Sequence, residues 1–225
     1  MDIRNLRCAF VLVLALIALP AVVRAESSPT DSAQTRGNRH MVFISGGAGF
    51  NCSKVYDPIS AAGNKIGFDY MAGYDWIISK SGLGVGLLYD GYYSSKKTVT
   101  SVDFGYGSVT PHTTIFVNTI APQFVVDILR PESRWAFTFK VGLGLSTVTE
   151  TLKLQGEQTE RKTKCGFATT LMAGTERRIN RHIGITATLT SISSFFGTFY
   201  DEYYDIYRTN NLSRISINVG LKYRF

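Results

Sequence analysis

Residues 214–225 read RISINVGLKYRF. Ile215, Ile217, Val219, Leu221, Tyr223 and Phe225 alternate there with Arg214, Ser216, Asn218, Gly220, Lys222 and Arg224. Successive side chains of an extended strand point to opposite faces, so the stretch has one apolar face and one polar face. The pattern recurs upstream. Trp135, Phe137, Phe139, Val141, Leu143 and Leu145 alternate with Arg134, Ala136, Thr138, Lys140, Gly142 and Gly144. Ile66, Phe68, Tyr70, Ala72, Tyr74, Trp76 and Ile78 stand opposite Gly67, Asp69, Met71, Gly73 and Asp75, and Leu83, Val85, Leu87 and Tyr89 continue after a tight SKSG. Ile120 to Ile128 gives a further series, Phe167 to Ala173 and Ile183 to Leu189 weaker ones, and the Gly-rich MVFISGGAGF near the start brings the expected strand count to eight.

The connections alternate in length. Those near Ser79 to Gly82, Leu129 to Ser133 and Ile179 to His182 are short, whereas those near Asn51 to Gly63, Ser94 to Pro111, Glu150 to Lys164 and Gly197 to Asn211 are long. Short periplasmic turns, long extracellular loops and an even strand number are the arrangement of a transmembrane β-barrel. The predicted fold is therefore all-β, an eight-stranded antiparallel up-and-down barrel. A lysine or arginine on the lipid face at the bilayer midplane costs about 2 to 4 kcal/mol, so Lys140 is expected to face the lumen. By the same parity the lumen receives Asp69, Asp75, Gln123, Asp127, Glu176, Arg178, Arg214, Lys222 and Arg224. Opposite charges are available for internal pairs, and a barrel of about eight strands is only wide enough to be packed with side chains. Asp69, Asp75, Asp127, Lys140, Glu176, Arg178, Arg214 and Lys222 are thus expected to form a charge network filling the interior. Aromatic residues cluster near strand ends, among them Trp76, Tyr89, Tyr92, Tyr93, Trp135, Tyr200, Tyr203, Tyr204 and Tyr223, and some of them are expected to form interfacial girdles.

The first 25 residues carry Arg4 and Arg7, the apolar run AFVLVLALIAL from Ala9 to Leu19, and the small-residue ending AVVRA. The run is about half the roughly 20 residues a spanning helix needs, and the pattern predicts a secretory signal peptide over 1–25. A polar tail without periodicity follows over 26–39, expected to lie flexibly in the periplasm, and the barrel is expected over 40–225. Cys8 lies in the basic part of the leader, away from the position a lipid anchor requires. Cys52 and Cys165 remain after export, where two thiols could pair, although the parity of Cys165 with lipid-facing Phe167 argues against a bridge through the lumen. The chain carries 24 basic and 17 acidic residues, and removing Arg4, Arg7, Arg24 and Asp2 leaves 21 and 16. That modest excess fits either solvated turns or contact with phosphate-bearing lipid.

The final strand, ending in Lys222, Tyr223, Arg224 and Phe225, resembles the C-terminal signal read by the barrel-assembly machinery, with Tyr223 and Phe225 as its aromatic positions. The GYDW and GLGVGLLY segments, Gly73 to Trp76 and Gly82 to Tyr89, resemble the outer-membrane β-barrel domain family of small porin-like and opacity-type proteins. The resemblance spans the mature fold and implies the outer membrane of a Gram-negative bacterium, with contacts to outer-membrane lipid, lipopolysaccharide and the assembly machinery. It implies no single activity.

Enzymatic readings find little support in the same residues. Only His40, His112 and His182 can supply a histidine base, and only His112 is expected on the outer side. Lipid A deacylases carry a His and a Ser two apart on one strand face, whereas His112 is followed by Thr113 and Thr114. The runs GGAGF, GLGVG and GLG lack the helix start a phosphate loop needs. No catalytic residue, cofactor, metal ligand or nucleic-acid partner is assigned. Lys96 and Lys97, with Tyr203 and Tyr204 in FGTFYDEYYDIYR, are the expected loop contacts for an unidentified surface ligand. The function expected is a non-enzymatic envelope-structural or surface-interaction protein. A narrow pore for small solutes is the alternative, and a lipid-modifying enzyme, which would need His112 near a Ser or Thr and a carboxylate, is the third.

Overall fold

The computed structural model describes residues 39–52, 66–97, 112–129, 133–153, 160–201 and 206–225. The expected signal peptide over 1–25 and all of the expected tail over 26–39 except Arg39 lie outside them. Eight strands follow in order: β1 (Arg39–Asn51), β2 (Ile66–Ile77), β3 (Leu83–Lys97), β4 (His112–Leu129), β5 (Trp135–Lys153), β6 (Glu160–Arg178), β7 (Ile183–Asp201) and β8 (Ile206–Arg224). Each pairs antiparallel with its sequence neighbour, and β1 also pairs with β8, Ile44 opposite Leu221, so the sheet closes on itself. Closure leaves the wall no unpaired edge, which is what permits a sheet to stand in hydrocarbon.

Burial follows the alternation. In β8, Arg214, Ser216, Asn218, Lys222 and Arg224 are buried, while Ile215, Ile217, Val219, Leu221 and Tyr223 are exposed. In β5, Lys140 is 2% exposed and Leu143 70%, so polar residues form the interior and apolar ones the outer surface. This inversion of a water-soluble protein identifies the solvent of the outer surface as lipid. The described residues contain no helix long and apolar enough to cross a membrane; the crossing elements are strands. At the short-turn end, His40 stacks on Trp76 with centroids 5.9 Å apart and Tyr223 meets Phe225 edge-on at 5.2 Å. The turn from β2 to β3 is tightened by Gly82, whose φ of 90° is open to glycine at little cost.

The strands reach beyond the alternating stretches. The loops expected over Ser94 to Pro111, Glu150 to Lys164 and Gly197 to Asn211 are shorter, because β3 runs to Lys97, β5 to Lys153, β6 starts at Glu160, β7 runs to Asp201 and β8 starts at Ile206. Past the lipid both faces of a strand meet water, so alternation stops marking the sheet while backbone pairing continues. Lys96 and Lys97 therefore sit in β3, not in a loop. A bulge between Phe195 and Thr198, around Gly197 with φ 91°, offsets the last pairs of β7 and β8.

Candidate functional site

The polar face of the wall converges on the lumen. There Asp69, Asp75, Asp90, Asp127 and Glu176 meet Lys140, Arg214, Lys222 and Arg224, all buried. Taking charges out of water is costly unless they are paired and hydrogen-bonded, and the pairs fall into three groups along the barrel.

At the short-turn end, Arg224 of β8 holds Glu176 of β6 through two parallel hydrogen bonds. Lys222 Nζ lies 3.3 Å from Glu176 and donates to Thr138 Oγ1 at 3.2 Å, and Thr138 donates in turn to Asp127 at 3.0 Å. Arg39 approaches Asp127 at 3.6 Å, and Arg178, half-buried at the rim, donates to the Ser133 carbonyl at 2.9 Å. A Cβ on Gly184 would run into the Glu176 carboxylate, so the missing side chain makes room for this cluster. In the middle, Lys140 of β5 reaches across to both oxygens of Asp75 of β2, at 2.8 and 2.7 Å, with its ammonium 3.8 Å from the centroid of the Phe43 ring. At the long-loop end, Arg214 pairs with Asp90 and lies 3.5 Å from Asp69, which also accepts from Ser216 at 2.8 Å and Asn218 at 2.9 Å.

Apolar groups pack in the spaces between charges. Tyr92, Ile115, Val117, Val148 and Leu212 cluster toward the long-loop end, with Phe196 against them; Phe43, Met71, Leu88 and Met172 pack in the middle; Met41, Ile77 and Val125 pack toward the short-turn end. A cavity of about 20 Å³ among Phe43, Thr138, Lys140, Met172, Glu176 and Lys222 has room for about one water.

Asp90 and Tyr92 went unrecognised as lumen residues in the sequence. Both continue the parity of Gly84, Gly86 and Leu88 past the point where the apolar series of β3 ends at Tyr89. Tyr92 is buried beneath Arg214, whose guanidinium lies 5.2 Å from the ring centroid. It is therefore not part of an interfacial girdle. Tyr203 and Tyr204 lie outside the described residues, as does the side chain of Lys97; Lys96 is exposed. Cys52 and Cys165 are both free thiols and exposed. Tyr223 and Phe225 are exposed at the short-turn end, where the Phe225 N–H donates to the His40 carbonyl at 3.0 Å and ties the last residue to β1.

One serine–histidine contact lies outside the barrel. His112 Nε2 and Ser95 Oγ are 2.8 Å apart on the outer face at the long-loop end. A hydrolase triad needs a carboxylate behind the imidazole. The acidic residues of β3 to β6 with described side chains, Asp90, Asp127, Glu150 and Glu176, stand at lumen-facing register positions. No group of three or more possible metal ligands occurs among the described residues.

A closed eight-stranded wall, oily outside and charged inside, defines an integral outer-membrane β-barrel protein. Its fold is similar to that of Neisserial surface protein A, NspA, with 13% identity, a TM-score of 0.51, and coverage of 84% of this chain and 100% of that one. A major outer membrane protein from Thermus thermophilus aligns over 83% of this chain and 99% of its own at 9% identity and a TM-score of 0.49. Ail, the attachment invasion locus protein of Yersinia pestis, aligns over 84% and 99% at 14% identity and a TM-score of 0.44. No protein-family model and no curated protein sequence matches the chain.

Proposed function

We propose that this chain is a non-enzymatic, closed barrel that serves the outer membrane as a structural element and presents the connections at its long-loop end for surface interaction. The observation that carries the reading is the Asp75–Lys140 pair, which spans the lumen in its middle between two further charge clusters. A conducting lumen requires a continuous wetted path, whereas opposite charges paired across the bore, with apolar clusters between them, favour a plug. The wall then contacts outer-membrane lipid and lipopolysaccharide, and Tyr223 and Phe225 serve the assembly machinery during export after removal of residues 1–25.

The test compares a deletion strain complemented with the full chain or with a chain whose connections 53–65, 98–111, 154–159 and 202–205 are rewritten as Gly-Ser sequences of equal length. Both chains are expected to restore resistance to detergent, and only the full chain to restore attachment to surfaces. Unchanged detergent resistance and attachment in the deletion strain, together with loss of small-solute uptake, overturns the proposal in favour of a pore.

A further inference from the structure

The outer face of β3 to β6 changes character in register as it leaves the hydrocarbon. Tyr89, Ile120, Leu145 and Phe167 are cross-strand partners in an apolar row. Four residues further out along β3, Phe68, Tyr93 and Phe116 form an aromatic row. Two residues beyond it, Ser95, Thr114 and Thr151 form a hydroxyl row that ends on Arg161. Two residues beyond that, Lys97, His112 and Lys153 occupy directly paired positions. At about 3.3 Å per residue and a tilt of about 40°, this last row stands roughly 10 Å above the aromatic row. Aromatic rings sit at the membrane interface, so the hydroxyls and cations lie at the depth of lipid head groups.

Among the described side chains of β3 to β6, the Asp90, Asp127, Glu150 and Glu176 carboxylates stand on the other parity, facing away from Lys153 and Arg161. Lys153 and Arg161 are exposed, and the Ser95 hydroxyl lies 2.8 Å from His112 Nε2 on the same face.

From this gradient we infer that the outer face of β3 to β6 is a docking surface for the phosphate groups of an anionic glycolipid in the surrounding leaflet. Acyl chains lie on the Tyr89 row, sugar hydroxyls meet Ser95, Thr114 and Thr151, and phosphates meet Arg161 and Lys153. The inference rests on the proposed orientation, with the long connections at the outer surface.

Native mass spectrometry of the refolded mature barrel tests it, using bisphosphorylated lipid A, the same lipid without its phosphates, and inorganic phosphate as competitor. The expected result is retention of the bisphosphorylated lipid at least tenfold above the dephosphorylated one, weakening as salt rises. K153Q/R161Q, with folding checked by heat-modifiable gel mobility, is expected to weaken binding of the bisphosphorylated lipid about thirtyfold. Equal retention of the two lipids by the unaltered protein, which needs no variant, overturns the inference, as does an unaffected double variant. Displacement of the lipid by equimolar inorganic phosphate also overturns it and indicates a site for the free anion. Steady conductance in a barrel that keeps the phosphate preference defeats the closed-scaffold reading alone; a silent barrel without the preference defeats this one alone.

Discussion

Lys140 Nζ lies 2.8 and 2.7 Å from the two oxygens of Asp75, joining β5 to β2 across the lumen. Both side chains are buried, so removing one partner leaves the other as an uncompensated charge. D75N and K140M are each expected to lower the unfolding free energy by about 3 to 5 kcal/mol, and D75L/K140M to recover most of the loss. Urea unfolding in lipid vesicles measures this.

Arg214 is the single cation between Asp69 and Asp90 among the described contacts. Asp69 keeps hydrogen bonds from Ser216 and Asn218 when the guanidinium is lost, and Asp90 has no such support among them. R214M is accordingly expected to cost about 3 to 5 kcal/mol, and R214M/D90N roughly 1 to 3 kcal/mol less than R214M alone, in the same unfolding assay.

Residues 140 and 141 are neighbours on opposite faces near the middle of the membrane-crossing part of β5. Val141 is 42% exposed to lipid. V141K is expected to destabilise by about 2 to 4 kcal/mol, whereas T149K, near the long-loop end of the same strand and face, costs about 0 to 1 kcal/mol. Equal costs at the two positions contradict the assigned depth.

Phe225 is exposed and touches Tyr223 edge-on, so deleting it removes little buried surface. Its deletion is expected to slow insertion in cells, measured by pulse-chase of the heat-modifiable form. The urea midpoint of the refolded barrel should move by less than the change seen in K140M.

The strands and their faces were legible wherever lipid and lumen impose opposite demands, as in Arg214 to Phe225 and Trp135 to Leu145. Legibility ended where both faces meet water, which is why the outer parts of β3, β5, β6, β7 and β8 read as loops. Individual lumen residues followed from parity alone, since Lys140 cannot face hydrocarbon. Their partners did not: whether Lys140 meets Asp75 or Asp127 depends on the stagger of all eight strands, which no local pattern encodes. Asp90 and Tyr92 were hidden for a related reason. The apolar alternation of β3 dissolves at Gly91, although the strand continues in register to Lys97.

The central claim is that paired charges close the lumen, and single-channel conductance of the refolded mature barrel in a planar bilayer tests it most directly. The account predicts a folded barrel, verified by heat-modifiable mobility, that carries no steady current. A reproducible open current from the unaltered protein contradicts it and makes Asp75, Lys140 and Arg214 the lining of a channel.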